Sequence, residues 1–204
     1  MTLSTEPPAA YAAPVVTRSE TAAATRRSLL DAAGALLDTG GPDAVTLREV
    51  GARAGVSRSA PYRHFANKET LLTAIATNGL NQLGDTLERL ATEGDPPEHA
   101  LRAALHSLLA IGRARPHLYR LMFTTPAGDP TAAVRAAERT QDLFLELVGR
   151  IVGAQRARHY GALLLTTAHG ATSFESSGHF VWDKWQTNAE GIIDTMIALL
   201  PAEN

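Results

Sequence analysis

The stretch that decides the fold is TLREVGARAGVSRSAPYRHFANKETLL, residues 46–72. Thr46 is followed three residues later by Glu49, the spacing of a capping box, in which side chain and backbone at a helix start bond each other reciprocally. This spacing predicts a helix that begins at about Leu47. Gly55 closes it, because glycine adopts the left-handed conformation that ends many helices. The opening of the stretch therefore predicts one short helix.

A second short helix is predicted immediately afterwards, with Ser57 as its cap and a turn of about three residues before it. Two short helices joined by such a turn can place the second one in the major groove of DNA. Arg58 can then bind a guanine edge through two hydrogen bonds, and an outward Ala60 can contact a thymine methyl group. Tyr62 and Phe65 are expected to bury the inner face of the helix.

Residues on either side of this helix pair are placed to contact phosphate groups. Thr46 and Arg48 lie on the first helix, and Lys68 lies where Asn67 caps a long third helix predicted to end near residue 90. Backbone N–H groups at a helix start already favour an anion, so the lysine ammonium adds to an existing preference. His64 is explained either by a phosphate contact or by packing.

Residues 46–72 resemble the DNA-binding signature of the tetracycline-repressor (TetR) family, and the resemblance covers about residues 20–72. It rests on Ala54-Gly55-Val56-Ser57, Tyr62-x-His64-Phe65 and Lys68-x-x-Leu71-Leu72. It implies a three-helix DNA-binding domain, a larger helical domain that binds a ligand and dimerises, and transcriptional control, usually repression relieved by a small molecule. The DNA-facing positions of the family then fall on Arg48, Arg58, Ser59, Ala60, Tyr62, His64 and Lys68. The Ala60-Pro61 pair departs from the commoner threonine-plus-aliphatic pair and supplies no hydroxyl at position 60.

Charge is distributed unevenly along the 204 residues, although the net charge is only −2. Residues 18–68 carry eight basic and five acidic residues, whereas residues 69–204 carry eleven basic and fifteen acidic ones. A basic segment on an acidic body is typical of a protein that meets nucleic acid at one end.

The periodicity of apolar residues predicts an all-α chain in three parts. Residues 1–17 are rich in Pro, Ala and Thr and are expected to be a disordered tail. Residues 18–72 form the helix-turn-helix part, with a first helix over about 20–38 stopped by Thr39-Gly40-Gly41-Pro42. Residues 73–204 form the larger part, with helices over about 98–115, 116–123, 131–152, 155–177 and 188–200 and a loop over 178–184.

The larger part offers candidates for a ligand site and for a dimer contact. Arg115–Phe123 and Ala168-His169-Gly170 resemble a TetR subgroup named for a Trp-His-Gly motif, with Ala168 in place of the tryptophan. The helices over 155–177 and 188–200 can form a dimer seam, or their small residues can simply pack in the core. Candidate cavity-lining residues, which ordinary core packing would also explain, are Tyr119, Met122, Phe123, Phe144, His169, Phe174 and Trp182.

No basic cluster accompanies these rings, and Arg115 and Arg120 beside Pro116 are expected at the surface. A multiply anionic ligand would need desolvated cationic partners. The sequence therefore predicts a neutral or cationic, largely apolar effector. The resemblance implies that the protein binds double-stranded operator DNA as a homodimer, and the effector is expected to release it from this DNA.

Other functional classes find little support in the sequence. The chain has no cysteine, no His pair at metal-binding spacing within one helix, no catalytic motif and no apolar run near the roughly 20 residues that span a bilayer. We therefore expect no enzyme activity, no metal, no cofactor and no membrane partner. The missing cysteines and the absence of a secretory pattern favour the cytoplasm. The alternative is a helical interaction or scaffolding protein without DNA binding.

Overall fold

The computed structural model describes residues 17–125 and 129–202, and in them the chain forms ten helices and no strand. The predicted all-α fold is confirmed. The disorder predicted for residues 1–16 lies outside the described residues. In chain order the helices are α1 (Arg18–Ala44), α2 (Leu47–Arg53), α3 (Ala60–His64), α4 (Lys68–Thr92), α5 (Pro97–Ala114), α6 (Pro116–Met122), α7 (Thr131–Val152), α8 (Ala154–Ser176), α9 (Trp182–Trp185) and α10 (Ala189–Ala198).

Helix α1 begins two residues earlier than the sequence pattern predicts, because Thr17 and Glu20 form a complete capping box. The Glu20 backbone N–H donates to Thr17 Oγ1 at 3.2 Å, and the Thr17 N–H donates to Glu20 Oε2 at 2.7 Å. The hydrogen bond from the Thr17 backbone lowers the pKa of Glu20. Thr17 therefore belongs to α1 and not to the predicted tail.

The predicted stop of the first helix is a kink. Gly41 has φ 67° and ψ −170°, and one further turn follows it through Pro42 to the end of α1. A Cβ atom at Gly41 would lie 3.0 Å from the imidazole of His117 in α6. The glycine thus permits both the positive φ and the close approach of α6 to α1.

The cap of α2 is only half of the predicted box. The Glu49 N–H donates to Thr46 Oγ1 at 3.2 Å, as predicted. The reciprocal bond is not formed, because the Glu49 carboxylate accepts from the neighbouring Arg48 guanidinium at 2.9 Å. Val45 and Val50, on either side of the cap, are both fully buried.

Replacing Thr46 with alanine is expected to lower the free energy of unfolding by about 1 kcal/mol, because the first turn of α2 loses its acceptor. Glu49→Ala should cost clearly less, since its carboxylate bonds an exposed neighbour and not the helix start. Urea denaturation measures both. An equal loss in the two variants would mean that the reciprocal bond forms in solution.

Helix α3 is shorter than predicted and begins later. Ser57 does not cap it; instead the Ser57 carbonyl accepts the Ala60 N–H at 2.9 Å in a turn, and the helix runs only from Ala60 to His64. Pro61 explains the start, because proline lacks an N–H and fits the first helical turn, where that group has no partner within the helix.

Helix α4 confirms the predicted Asn67 cap, whose side chain accepts the Thr70 N–H at 2.8 Å. It contacts α1, α5, α6 and α7, and the apolar core is continuous from α1 to α10. The predicted division between residues 72 and 73 falls inside α4, so this helix is shared by the two predicted parts.

The helices predicted after residue 96 match α5, α6, α7, α8 and α10 to within two residues at each end. The prediction of a loop over 178–184 is wrong at its end, where α9 forms a single helical turn. Helix α7 packs between α4 and α8, and α10 packs on α5 and α8. This arrangement brings α8 and α10 together along one side of the molecule.

Candidate DNA-binding surface and ligand cavity

The helix pair α2–α3 is built around a close contact between Gly51 and Pro61. A Cβ atom at position 51 would lie 2.8 Å from Cγ of Pro61, so only glycine lets the two helices approach this closely. Gly55, with φ 66°, follows α2 and lets the chain turn back toward α3. The packing of the Pro61 ring against the backbone of Gly51 therefore fixes the two helices relative to each other.

The underside of α3 is buried. Ala60 and Phe65 are each only 2% exposed, and the Arg26 guanidinium of α1 lies 5.2 Å from the centre of the Phe65 ring. The prediction that Phe65 anchors this helix is confirmed. The prediction that Ala60 points outward is wrong, because its methyl group faces the core and cannot reach a thymine.

The outer face of α3 is polar and open. Arg58, Ser59 and Arg63 are exposed, and Tyr62 is 58% exposed. The expectation that Tyr62 buries the inner face is wrong; its ring points to solvent, among the other side chains of this face. Arg63 was missed by the sequence reasoning, although it lies one helical turn after Ser59 and therefore on the same face.

The flanking candidates surround this face with basic groups. Thr46 and Arg48 are exposed on α2, with Arg48 in an ion pair to Glu49 at 2.9 Å. His64 is half-buried against Phe65, with ring centres 6.4 Å apart. Lys68 Nζ lies 3.9 Å from the Asp43 carboxylate. Exposed ion pairs of this kind are weak, so a phosphate group can compete with the carboxylate for Arg48 or for Lys68.

A cavity of about 330 Å³ lies between α4, α5, α6 and α7, with Leu165 of α8 at one wall. Its lining is mainly aliphatic and aromatic and contains no charged side chain. The polar lining consists of Thr124, Thr125, Thr140 and Gln141. The Thr140 hydroxyl is already used, because it donates to the carbonyls of Leu80 in α4 and Ala136 in α7. This hydrogen bond to Leu80 links the cavity wall on α7 to α4, which also contacts α1.

Three of the seven predicted ligand residues, Met122, Phe123 and Phe144, line this cavity. Tyr119 and His169 lie behind Phe123 instead, with the Phe123 and His169 ring centres 4.1 Å apart. The Tyr119 hydroxyl and His169 Nδ1 are hydrogen-bonded at 2.5 Å. Burial raises the pKa of Tyr119 and lowers the pKa of His169, so this pair stays neutral near pH 7.

Phe174 and Trp182 were predicted to line the cavity and do not. Phe174 follows Leu165 by nine residues, or about two and a half helical turns, and so lies on the opposite face of α8. Its ring packs on Phe180 and Trp185, with centres 4.9 and 5.9 Å apart. Trp182 is exposed on α9.

The sequence reasoning also missed most of the cavity wall. Side chains of α4 and α5 such as Leu83, Leu87, Ala104 and Leu108 line it. Their spacing is the same as that of ordinary core residues, so no sequence signal separates them from the core.

No group of three or more acidic or histidine side chains in residues 17–125 and 129–202 could hold a metal ion. Within the same residues, no helix combines the length and the apolar character that a bilayer span requires.

The buried support and the polar outer face define α2–α3 as a DNA-binding helix-turn-helix unit at one end of a helical protein. Two family models match the chain: "Bacterial regulatory proteins, tetR family" over residues 29–75, and "Tetracyclin repressor-like, C-terminal domain" over residues 101–200. Together they cover more than half of the sequence. The chain belongs to the TetR family of transcriptional regulators.

Curated relatives agree with this assignment over part of their length. The chain is 33% identical over 103 residues to the uncharacterized HTH-type transcriptional regulator YvkB of Bacillus subtilis, covering 50% of this chain and 53% of YvkB. It is 33% identical over 88 residues to the HTH-type transcriptional repressor LfrR of Mycolicibacterium smegmatis, covering 43% of this chain and 46% of LfrR. The chain thus matches about half the length of these relatives.

Solved structures match over nearly the whole chain. A protein of unknown function from Rhodococcus sp. RHA1 has a TM-score of 0.72 at 26% identity, over 88% of this chain and 96% of that one. A TetR-family regulator from Streptomyces coelicolor has a TM-score of 0.61 at 28% identity, over 88% and 94%. RolR, solved with the ligand resorcinol, shares the fold with a TM-score of 0.60 at 18% identity, over 91% and 92%.

Proposed function

We propose that this protein is a ligand-responsive repressor that binds a palindromic operator as a homodimer. The observation that carries the proposal is the outer face of α3 and of the turn before it, where Arg58, Ser59, Tyr62 and Arg63 are exposed above a buried inner face. A guanidinium at the start of such a helix can read a guanine edge, and the basic groups of α2 and α4 can hold the phosphates on either side. We also propose that it acts in the cytoplasm, the location that the sequence favours, because an operator is part of the DNA that it would bind there.

Homodimer formation is supported by the positions of the exposed apolar side chains. Among the described residues, eight large apolar side chains are exposed, and five of them lie on α8, α9, α10 or the segments next to them. Tyr62 lies on the DNA-binding face, and Phe123 and Val134 line the cavity. The five are Leu163, Val181, Trp182, Trp185 and Leu199. A two-fold dimer doubles the DNA contact, which a single short helix needs for operator-grade affinity.

Response to a ligand is supported by the contacts that connect the cavity to α1. Helix α6 lines the cavity through Met122, and at its other end it meets α1. There Arg115 Nε donates to both oxygens of Asp38, at 2.9 and 3.1 Å, and His117 lies over Gly41. A ligand that moves α6 therefore moves the DNA-binding helices, and by reciprocity operator binding weakens ligand binding.

A helical scaffold without DNA binding is the competing function. Retention on a non-specific duplex at low salt separates the two. The proposed repressor is retained and is released as salt rises, because phosphate contacts displace counterions. A scaffold passes through at every salt concentration, and that result would refute the proposal.

The effector is expected to be neutral or cationic and largely apolar, because no charged side chain lines the cavity. We predict that some compound in a panel of neutral aromatic and alicyclic alcohols, resorcinol among them, raises the melting temperature and releases the operator. The phosphate ester of each alcohol should do neither, because its charge would be buried without a partner.

Ala137→Phe is the matched control, since this side chain would fill part of the cavity that Ala137 lines. The variant should keep its operator affinity and lose its response to any active alcohol. If only phosphorylated or multiply carboxylated compounds released the operator, the predicted effector class would be wrong.

A further inference from the structure

A second cleft, which we call the polar cleft, lies between α1, α4 and α6 and has a volume of about 240 Å³. It lies on a different face of α4 from the apolar cavity, and the two share no lining residue. Its floor consists of buried or half-buried residues, namely Leu30, Gly34, Ala35, Ile75, Gly79 and Leu118. Its walls carry the charged and amide side chains of Asp31, Asp38, Asn78, Gln82 and Arg115. The polar cleft thus differs from the cavity in position and in chemistry.

Two glycines let α6 and the residue before it come close to the floor of the polar cleft. A Cβ atom at Gly79 of α4 would lie 3.2 Å from Leu118 Cδ1. A Cβ atom at Gly34 of α1 would lie 3.2 Å from Arg115 Nη2, so the guanidinium lies against bare helix backbone. Asp31 precedes Gly34 by three residues on the same face of α1, which places it about 5 Å further along the cleft.

Most of the hydrogen-bonding capacity of the cleft walls is unused by the protein. Arg115 Nε donates to both oxygens of Asp38, at 2.9 and 3.1 Å. The two Nη groups of Arg115, with four N–H donors, bond no acceptor in residues 17–125 and 129–202. In the same part of the chain, the side chains of Asp31, Asn78 and Gln82 have no hydrogen-bond or ion-pair partner. These groups are therefore free for a ligand that displaces solvent from the cleft.

We propose that the polar cleft binds a small hydroxylated amine, of the chemistry of an amino sugar, at a site distinct from the effector cavity. The ammonium group pairs with the Asp31 carboxylate, and the hydroxyl groups accept from the Nη groups of Arg115. Hydroxyl groups also suit the amides of Asn78 and Gln82, because both kinds of group donate and accept hydrogen bonds. The volume is below the roughly 300–1,000 Å³ of drug-sized sites, which limits the ligand to about one sugar ring.

The charges of the cleft walls favour this ligand over other small polar compounds. Two acids, Asp31 and Asp38, face one base, Arg115, so the lining has a net charge of −1 that one ammonium neutralises. The carboxylate of an amino acid bound to the free Nη groups would lie beside the Asp38 carboxylate and be repelled by it. A diamine would leave the Arg115 donors facing a second ammonium, which accepts no hydrogen bond.

Isothermal titration calorimetry of the full chain with D-glucosamine, its amine protonated, tests the ligand class. We expect saturable binding of one molecule per chain. D-glucose, in which a hydroxyl replaces the ammonium, should bind at least tenfold more weakly, which corresponds to about 1.4 kcal/mol. Diaminobutane, which lacks hydroxyl groups, and L-serine, which adds a carboxylate, should also bind at least tenfold more weakly than glucosamine.

Two variants test the position of the site. Asp31→Asn should weaken glucosamine binding at least tenfold, because the amide keeps the shape of the side chain and loses its charge. Gln82→Leu should weaken it at least threefold, because it removes one hydrogen-bonding group. Asp95→Asn is the matched control, since Asp95 is an exposed acid in the loop between α4 and α5, outside the cleft, and it should change the affinity less than twofold. Circular dichroism checks that all three variants keep their helices.

Ala137→Phe separates the polar cleft from the apolar cavity, which Ala137 lines. It should leave glucosamine affinity unchanged within twofold; a loss would mean that the amine occupies the cavity, and it would overturn the proposal. Absence of saturable binding, or equal weakening by Asp31→Asn and Asp95→Asn, would overturn it as well. Tighter binding of serine or diaminobutane than of glucosamine would show that the ligand class is wrong. Each of these results leaves the proposed repressor standing, because operator binding and release by alcohols test that function separately.

Discussion

Replacing Arg58 with alanine is expected to reduce discrimination between operator and non-specific DNA by about 1–3 kcal/mol, or roughly five- to 150-fold. Arg58 is exposed in the turn that precedes α3, and within the described residues no carboxylate lies within ion-pairing distance of it. Its guanidinium is therefore available for two hydrogen bonds to one guanine. Competition binding of an operator duplex and a scrambled duplex measures the ratio of the two affinities.

Lys68→Ala is the matched control for this prediction. Its ammonium lies at the start of α4, where we expect it to contact a phosphate and not a base edge. The variant should weaken binding to both duplexes equally and lower the salt dependence of log K by about one unit. If Arg58→Ala behaved in the same way as Lys68→Ala, then Arg58 would be a phosphate contact, and Arg63 would be the next candidate for base reading.

Phe65→Ala is expected to lower the free energy of unfolding by about 3–5 kcal/mol, the largest effect of any change considered. The ring is 2% exposed beneath α3 and is covered on one side by the Arg26 guanidinium. Its loss leaves a cavity that the short helix cannot fill, because Pro61 and Gly51 already fix the distance to α2. Chemical denaturation of the full chain measures the loss.

Tyr62→Ala is the control on the same helix, since that ring is exposed and supports no packing. It should change stability by less than about 0.5 kcal/mol, as is usual for surface positions, and it should lower DNA affinity. A small loss for Phe65→Ala, comparable to that for Tyr62→Ala, would contradict the buried position of Phe65 and with it the fixed orientation of α3.

The helix boundaries could be predicted wherever a cap or breaker acts locally. Asn67 caps α4 as its side-chain chemistry predicts. The Thr17-x-x-Glu20 spacing is an equally clear signal for a helix start, and there the complete box forms. The same spacing at Thr46 and Glu49 produced only half a box, because Arg48 competes for the glutamate, and a spacing rule does not include such neighbours.

The cavity could not be derived in the same way. Aromatic character identified Phe123 and Phe144 correctly but also selected Phe174, which lies on the other face of α8. The direction of a side chain depends on which helices surround it, and that information is tertiary. The aliphatic wall from α4 and α5 has the spacing of any buried helix face, so only the packed structure separates cavity from core.

Selection of binding sites from a random duplex pool by the full chain tests the central claim most directly. We expect enrichment of a two-fold symmetric sequence whose half-sites are separated by about one helical turn of DNA, 10–10.5 bp, or a multiple of it. Arg58→Ala should lose a guanine preference at the same position in both half-sites. Recovery of no preferred sequence, or of a single asymmetric site bound by a monomer, would contradict operator binding by a homodimer.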